Sequence, residues 1–524
     1  MIGKAGGTNP YVAAAVLALA KSAPESASSE LDPVLEYYLH EGTVDLRGIA
    51  ALALAVEGRE GARGALQSLL ADDAEGRRLA QAEPVPPRLR AFAAYGLGLV
   101  GSRTREAEER TEIARALFGA LRDTKLVEEV RVAAVIATGL VPVDDLYGPA
   151  GCDCGGIGHE PETCRLSEIA WLCDVLGDAT QPAAVRVHAP TALARLVPGM
   201  SEEVRGIVVD ALLPVLEKGT SEFGSVRQSA VIALGELSLS GASETDRRIR
   251  NALQRTAGFG DEASRRLALI ALARGAGKAG AREASVRDAA GFLEQSLASN
   301  QNRMRPWSAL ALGVLAHELR RTNQSVPGDI PAALRSALER ARTSEEFAAC
   351  ALGAGLSGDA TLADPLVAGL QSYKDDTARG MAALGLGLLG ARPALPALQA
   401  VLAETQHRAE VHGRAALALG LIGDDTLVPG LVERLKSSPA PDVQTSLVRT
   451  LGAIGSPEAL SALLAIVEDL KGPIPARTAA LQALGTLAAR EGATWNAKLG
   501  PNQNYLAPCS SLTNSDRMGV LDVD

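Results

Sequence analysis

An all-α fold is expected for this 524-residue chain: a right-handed α-solenoid of about twelve stacked antiparallel helix pairs. Three observations lead there. The pattern R-x-x-A-x-x-A-L-G, or a close variant, recurs along almost the whole length. With its Arg as register mark, it falls at Arg47, Arg90, Arg131, Arg186, Arg227, Arg265, Arg305, Glu345, Arg379, His412, Gln444 and Arg477. Second, hydrophobic residues make up 47% but aromatics only 3%, so the apolar content is mostly Ala, Leu and Val, which suits closely packed helices. Third, the 53 glycines and 27 prolines fall largely between the helical stretches, as in Gly390-Ala391-Arg392-Pro393, where turn chemistry accounts for them.

The elements follow in order. Asn9-Pro10 reads as an N-cap and N1 proline opening a helix through Val12, Ala15, Ala18 and Leu19, the second half of a leading repeat. A secretory signal has a similar outline, with Lys4 before an apolar run, but the core spacing favours the repeat helix and a cytoplasmic chain. Within each repeat the marked helix places apolar residues on one side, as Val226, Ala230, Ala233, Leu234 and Leu237 show. Glycine eight residues after the mark either relieves crowding or prepares the helix end, and a second at plus eleven (Gly101, Gly390, Gly423, Gly455) fits a C-terminal cap. Next comes a helix with proline near its start, as at Pro393, Pro429 and Pro457, where early N–H groups lack intrahelical partners.

Repeats of roughly 40 residues fill 1–340, with a Cys-rich insertion at 143–166, and repeats of roughly 33 fill 341–490. The excess length falls in polar stretches such as Glu75 to Pro87 and Arg320 to Pro331, and residues 491–524 form a tail without the repeat. A dozen pairs would make a curved body on the order of 100 Å long.

These motifs, V-R-x-x-A-x-x-A-L-G, then G-D/S, then a proline-bearing helix, resemble HEAT repeats of the short type called PBS-lyase HEAT-like. The resemblance runs from about residue 10 to 490. It implies that second helices line a concave inner surface, and that the register Arg pairs with an acidic residue of an adjacent repeat. Asp45, Glu129, Asp376 and Asp442 are the nearby candidates. The Arg row reads either as a polyanion groove or as such an inter-repeat ladder, and the formal charge of −10 favours the ladder.

The 55-residue gap after Arg131 holds Cys152, Cys154, His159 and Cys164 in C-x-C-G-x-x-G-H-x-x-x-x-C. It resembles a zinc knuckle, which implies one structural zinc on those four ligands; Cys173 could replace one of them. The first spacing is a residue short of the knuckle's C-x-x-C, and a disulfide or free thiols are the alternatives. His40-Glu41, His159-Glu160 and His317-Glu318 are the dipeptides that deoxyhypusine hydroxylases use as iron ligands, but their unequal register offsets prevent convergence.

The acidic balance and scarce aromatics argue against general nucleic-acid binding, and no apolar run reaches membrane-span length. No nucleophile elbow, triad or phosphate-cradling loop is recognisable. The function expected is therefore a non-catalytic scaffold or adaptor that binds a protein or peptide on the concave face. A bilin lyase-like enzyme is the alternative the resemblance carries.

Overall fold

A computed structural model describes residues 10–22, 28–57, 61–143, 164–217, 224–299, 303–405, 408–423, 425–437 and 441–488. All regular structure among them is helical. The helices gather into two compact units, one holding the described residues up to Leu237 together with Ala488 and one spanning Ser238–Leu487.

The first unit opens with α1 (Pro10–Ser22), followed by the pair α2 (Ser28–Glu41) and α3 (Val44–Glu57). In the next pair α4 (Ala62–Ala71) and the short α5 (Ala74–Ala80) precede α6 (Pro87–Arg103). The first half of the stretch expected as a polar loop, Glu75 to Ala80, is thus helical, capped by the Asp73 carboxylate accepting from the Gly76 amide at 2.8 Å. Then come α7 (Ala107–Arg122) with α8 (Glu128–Thr138), and α9 (Arg165–Gly177) with a second helix broken into α10 (Ala183–Arg186) and α11 (Ala189–Leu196). Pro190, which has no N–H to continue the preceding turn, stands at the start of α11. The unit closes with α12 (Glu202–Leu212) and α13 (Gly224–Leu237).

Seven pairs make the second unit: α14 (Glu244–Phe259) with α15 (Glu262–Ala276), α16 (Glu283–Ala298) with α17 (Arg305–Arg321), α18 (Asp329–Arg340) with α19 (Ser344–Ser357), α20 (Ala363–Ser372) with α21 (Asp376–Leu388), α22 (Leu395–Glu404) with α23 (Ala409–Ile422), α24 (Val428–Ser437) with α25 (Pro441–Ile454), and α26 (Pro457–Glu468) with α27 (Ile474–Ala488). Twelve pairs result among the described residues, and every register mark lies on the second helix of its pair.

One mark is misplaced. The glycine at plus eight receives the backbone of the next second helix at its plus-six position: a Cβ on Gly139 would stand 2.6 Å from the Ala192 Cα, and one on Gly387 2.6 Å from the Ala418 Cα. In α19 the same contacts run from Gly313 to Gly353 and from Gly355 to Gly385. Those make Gly353 the plus-six and Gly355 the plus-eight residue, so Phe347, not Glu345, holds the register position. Gly358 then falls at plus eleven, where it caps α19 at φ 62°. Gly423 caps α23 in the same left-handed conformation. Gly101 does not follow the expectation: α6 continues to Arg103, and Gly101 is the seat of the Val141 side chain.

The register arginines serve their own pair first. Five guanidiniums donate to a carbonyl in the last turn of a preceding helix: Arg90 Nε to Leu70 O at 2.9 Å, Arg186 Nη2 to Leu176 O at 2.6 Å, Arg265 Nε to Ala257 O at 3.0 Å, Arg379 Nε to Leu370 O at 3.1 Å and Arg477 Nη2 to Val467 O at 3.0 Å. Terminal carbonyls have no intrahelical donor and carry the negative end of the helix dipole, so a buried cation is stable there. Arg131 instead reaches the next pair, donating to Gln181 at 2.5 Å, and Arg379 reaches Glu404 at 3.3 Å as well. The acids expected as partners do something else. Asp45 and Glu129 flank Arg88, and Asp376 pairs with Arg408. The side chain of Asp442 lies outside the described residues.

Candidate protein-binding face

In the second unit successive second helices pack directly on one another, whereas successive first helices barely touch. Small residues make this possible, since Gly at plus eight against Ala or Gly at plus six lets backbones meet. A layer that is tight on one side and loose on the other bends toward the tight side. The outward edge of the second helices therefore forms the inner face of this unit.

With Phe347 as the mark, two positions of that face become regular. Plus five and plus nine are Leu310 and Val314 on α17, Leu352 and Leu356 on α19, Leu384 and Leu388 on α21, and Leu417 and Leu421 on α23. All eight are apolar and all remain partly or well exposed, Leu388 at 38% and Leu421 at 43%. The intervening positions, such as Ala382, Ala383 and Leu386, are buried between helices. On the flanking helices the two positions are mixed, Ile270 with Arg274 on α15 and Arg449 with Ala453 on α25. In the first unit Leu52, Tyr95 and Thr191, at the plus-five position, are buried.

A charged rim runs along the N-terminal ends of the same helices. Arg303 lies 3.4 Å from Glu262, Arg414 2.7 Å from Glu410, and the Thr377 hydroxyl 3.3 Å from Glu410. At one end Arg266 stands over the Trp307 ring, 5.4 Å from its centroid. Eight aliphatic side chains bordered by paired charges offer dispersion and desolvation to a ligand rather than reactive groups. The nearest thiol, Cys350, is buried behind the stripe, and burial followed by the charge of Glu346 pushes it up to about 12. It stays protonated and inert at neutral pH.

Of the four residues expected to bind zinc, Cys152, Cys154 and His159 lie outside the described residues. Cys164 is buried and caps α9, its sulfur accepting from the Ser167 amide at 3.4 Å. Cys173, in the middle of α9, has its thiol pushed up to about 12, first by burial and then by Asp174. Of the His-Glu pairs, His40 ends α2 and His317 lies on exposed α17 surface, in different units, while His159-Glu160 lies outside the described residues.

The arrangement defines an α-solenoid class of protein. Residues 405–485, which contain α23 to α27 apart from the last turn, match the family described as HEAT repeats. A search of curated proteins found none that matches. Among solved structures, similar chains include the karyopherin Kap121p bound to the SUMO protease Ulp1p, at 14% identity over 90% of this chain and 53% of that one, TM-score 0.43. Human deoxyhypusine hydroxylase in complex with glycerol is another, at 20% identity over 55% of this chain and 96% of that one, TM-score 0.25. An engineered protein matches at 18% identity over 82% and 99%, TM-score 0.29. The chain spans about half the length of the karyopherin it matches.

Proposed function

We propose that this protein is a non-catalytic scaffold whose inner face in the second unit binds the apolar side of a protein partner. One observation carries the reading: Leu310, Val314, Leu352, Leu356, Leu384, Leu388, Leu417 and Leu421 repeat at two fixed register positions on four consecutive helices and stay accessible. Six of the eight are half-buried and Leu388 and Leu421 are exposed, so the stack leaves part of every one of these side chains open. A helix face left in water is normally polar, so a contiguous apolar patch marks an interaction site.

Four helices at interaxial distances of roughly 8–10 Å make the stripe about 30 Å long, and plus five to plus nine spans about 6 Å along each helix. That is the footprint of one amphipathic helix of about twenty residues laid across the array, with the charged rim beside its polar flank. Extension of the HEAT-repeat assignment from residues 405–485 to the whole array belongs to the same reading, and rests on the shared register and glycine contacts.

A photo-reactive phenylalanine analogue placed at Leu388 or Leu421 tests the proposal in the protein's native cells. It is expected to crosslink a discrete partner, and the same analogue at Glu433 on the outer face of α24 is not. The purified partner should then bind the wild-type chain and lose about tenfold or more in affinity to Leu388→Asp/Leu421→Asp, since hot-spot truncations cost about 2 kcal/mol each. Equal crosslinking at Glu433, or full affinity in the double variant, would remove the face from consideration.

A further inference from the structure

Between α16, α17 and α18, apart from the apolar stripe, a cleft of about 520 Å³ opens on Glu294, Leu297, Arg305, Ser336, Arg340 and Arg342. It coincides with a lapse in the repeat. Where Arg265 and Arg379 cap the helix before them, Arg305 gives α16 no hydrogen bond among the described residues. Its Nη2 turns to Glu346 on α19 at 3.1 Å, and its Nε is buried without a partner. The next register position holds Phe347, whose ring fills the space beside Gly369 and stacks on Tyr373 at 4.3 Å. Arg305 thus ties α17 to α19 instead of capping α16, and it lines the cleft.

Two further guanidiniums border this space, and both are without a protein partner among the described residues. Arg340 ends α18, and Arg342 follows it with its backbone N–H donating to Glu346 at 3.0 Å. Glu346 thereby ties the chain of Arg342 to the side chain of Arg305. The remaining carboxyl is Glu294, whose Oε1 is buried and unpartnered. Burial, and then the neighbouring Asp329, raise it, so it opposes an anion less than an exposed carboxylate would. Three arginines thus line one concavity, with Glu294 in its wall, Glu346 on Arg305 and Asp329 beside Glu294.

We propose that the cleft lined by Arg305, Arg340 and Arg342 binds a phosphomonoester dianion. A carboxylate offers two oxygens and is satisfied by one guanidinium fork. Two unpaired forks and an orphaned Nε supply more donors than that, and three terminal phosphate oxygens can use them. The volume lies in the range of small-ligand sites and holds a phosphorylated side chain or a small phosphate ester.

Calorimetric titration of the full chain with inorganic phosphate, glycerol phosphate and a phosphoserine peptide tests this, with acetate and the unphosphorylated peptide alongside. Saturable binding of the phosphate compounds is expected, weakened about tenfold or more in Arg340→Ala/Arg342→Ala, because charge-assisted hydrogen bonds are the strong ones. Both positions are exposed, and circular dichroism checks the fold. Ser336→Asp, which sets a carboxylate into the cleft, should cause the same loss. Tighter binding of the phosphopeptide than of glycerol phosphate identifies a protein source, and the reverse a small metabolite. Silence up to about 10 mM, acetate binding as well as phosphate, or affinity unchanged in both variants would overturn the assignment.

Discussion

His412 shows how much one register residue can carry. It takes the place of an arginine on α23, is fully buried, and is held neutral: burial, then the charge of Arg434, lowers its imidazole from 6.5 to about 4. The lost cap is restored from elsewhere, since Arg434 on α24 donates to Leu402 O, the last-turn carbonyl of α22, at 3.0 Å. A depressed histidine makes stability pH-dependent with a definite sign. The unfolded chain takes up the proton near 6.5 and the folded chain only near 4, so the unfolded state binds more protons in between. Stability should be level above the first value and fall as pH drops toward the second. Thermal unfolding of His412→Gln should lose less melting temperature than wild type between about pH 7 and pH 4.5. An identical loss in both would mean that the imidazole is protonated in the folded state. The sequence showed His412 as a break in the arginine row, but not Arg434 as its substitute, which comes from another helix 22 residues on. Phe347 was hidden for a different reason. Ala351-Leu352-Gly353 copies the repeat's A-L-G two residues early, and only the glycine contacts across helices reveal the slip.

At the scale of helices, the glycine at plus eight was legible in sequence, while its purpose was open between crowding and termination. The structure selects crowding. On Gly387 a Cβ would meet the Ala418 Cα at 2.6 Å and its carbonyl oxygen at 3.1 Å, and helix backbone cannot give way as a side-chain tip can. Gly387→Ala should therefore destabilise by about 1–3 kcal/mol, despite alanine's better helix propensity. Gly291 on α16 is the control, since nothing lies within 4 Å of its Cβ direction, and Gly291→Ala should stabilise by up to about 1 kcal/mol. Urea midpoints of the two variants measure both. Opposite signs are required, and a stabilised Gly387→Ala would show that α21 and α23 are not in close contact. The apolar stripe belongs to this scale too. With the mark at Glu345, plus five and plus nine on α19 would be the buried Cys350 and Ala354, and the row would break in its middle. Its recognition waited on the register, not on any new kind of signal.

The division of the molecule into units was not legible. The spacing from Arg227 to Arg265 is 38 residues, close to its neighbours, so the repeat passes the border at Leu237 without a mark, while the change in repeat length near 340 lies inside the second unit. Periodicity reports what each pair is, whereas grouping depends on how well adjacent pairs cover one another. That dependence gives an array its energetics, because stability is a sum of intrinsic pair terms and nearest-neighbour interfaces. In the second unit α19 and α21 are covered by second helices on both sides. The pair α26–α27 has described neighbours on one side only, and it exposes Leu460 at 40%, Leu464 at 47% and Leu487 at 42%. Its opening exposes one interface, while an opening centred on α19–α21 breaks two. Native-state hydrogen exchange should thus show protection rising from α27 back toward α21, with the amides of α26 and α27 exchanging through local openings well below the global free energy. Equal protection from α19 to α27 would make the unit a single cooperative body, and coupling beyond nearest neighbours would then have to supply the difference.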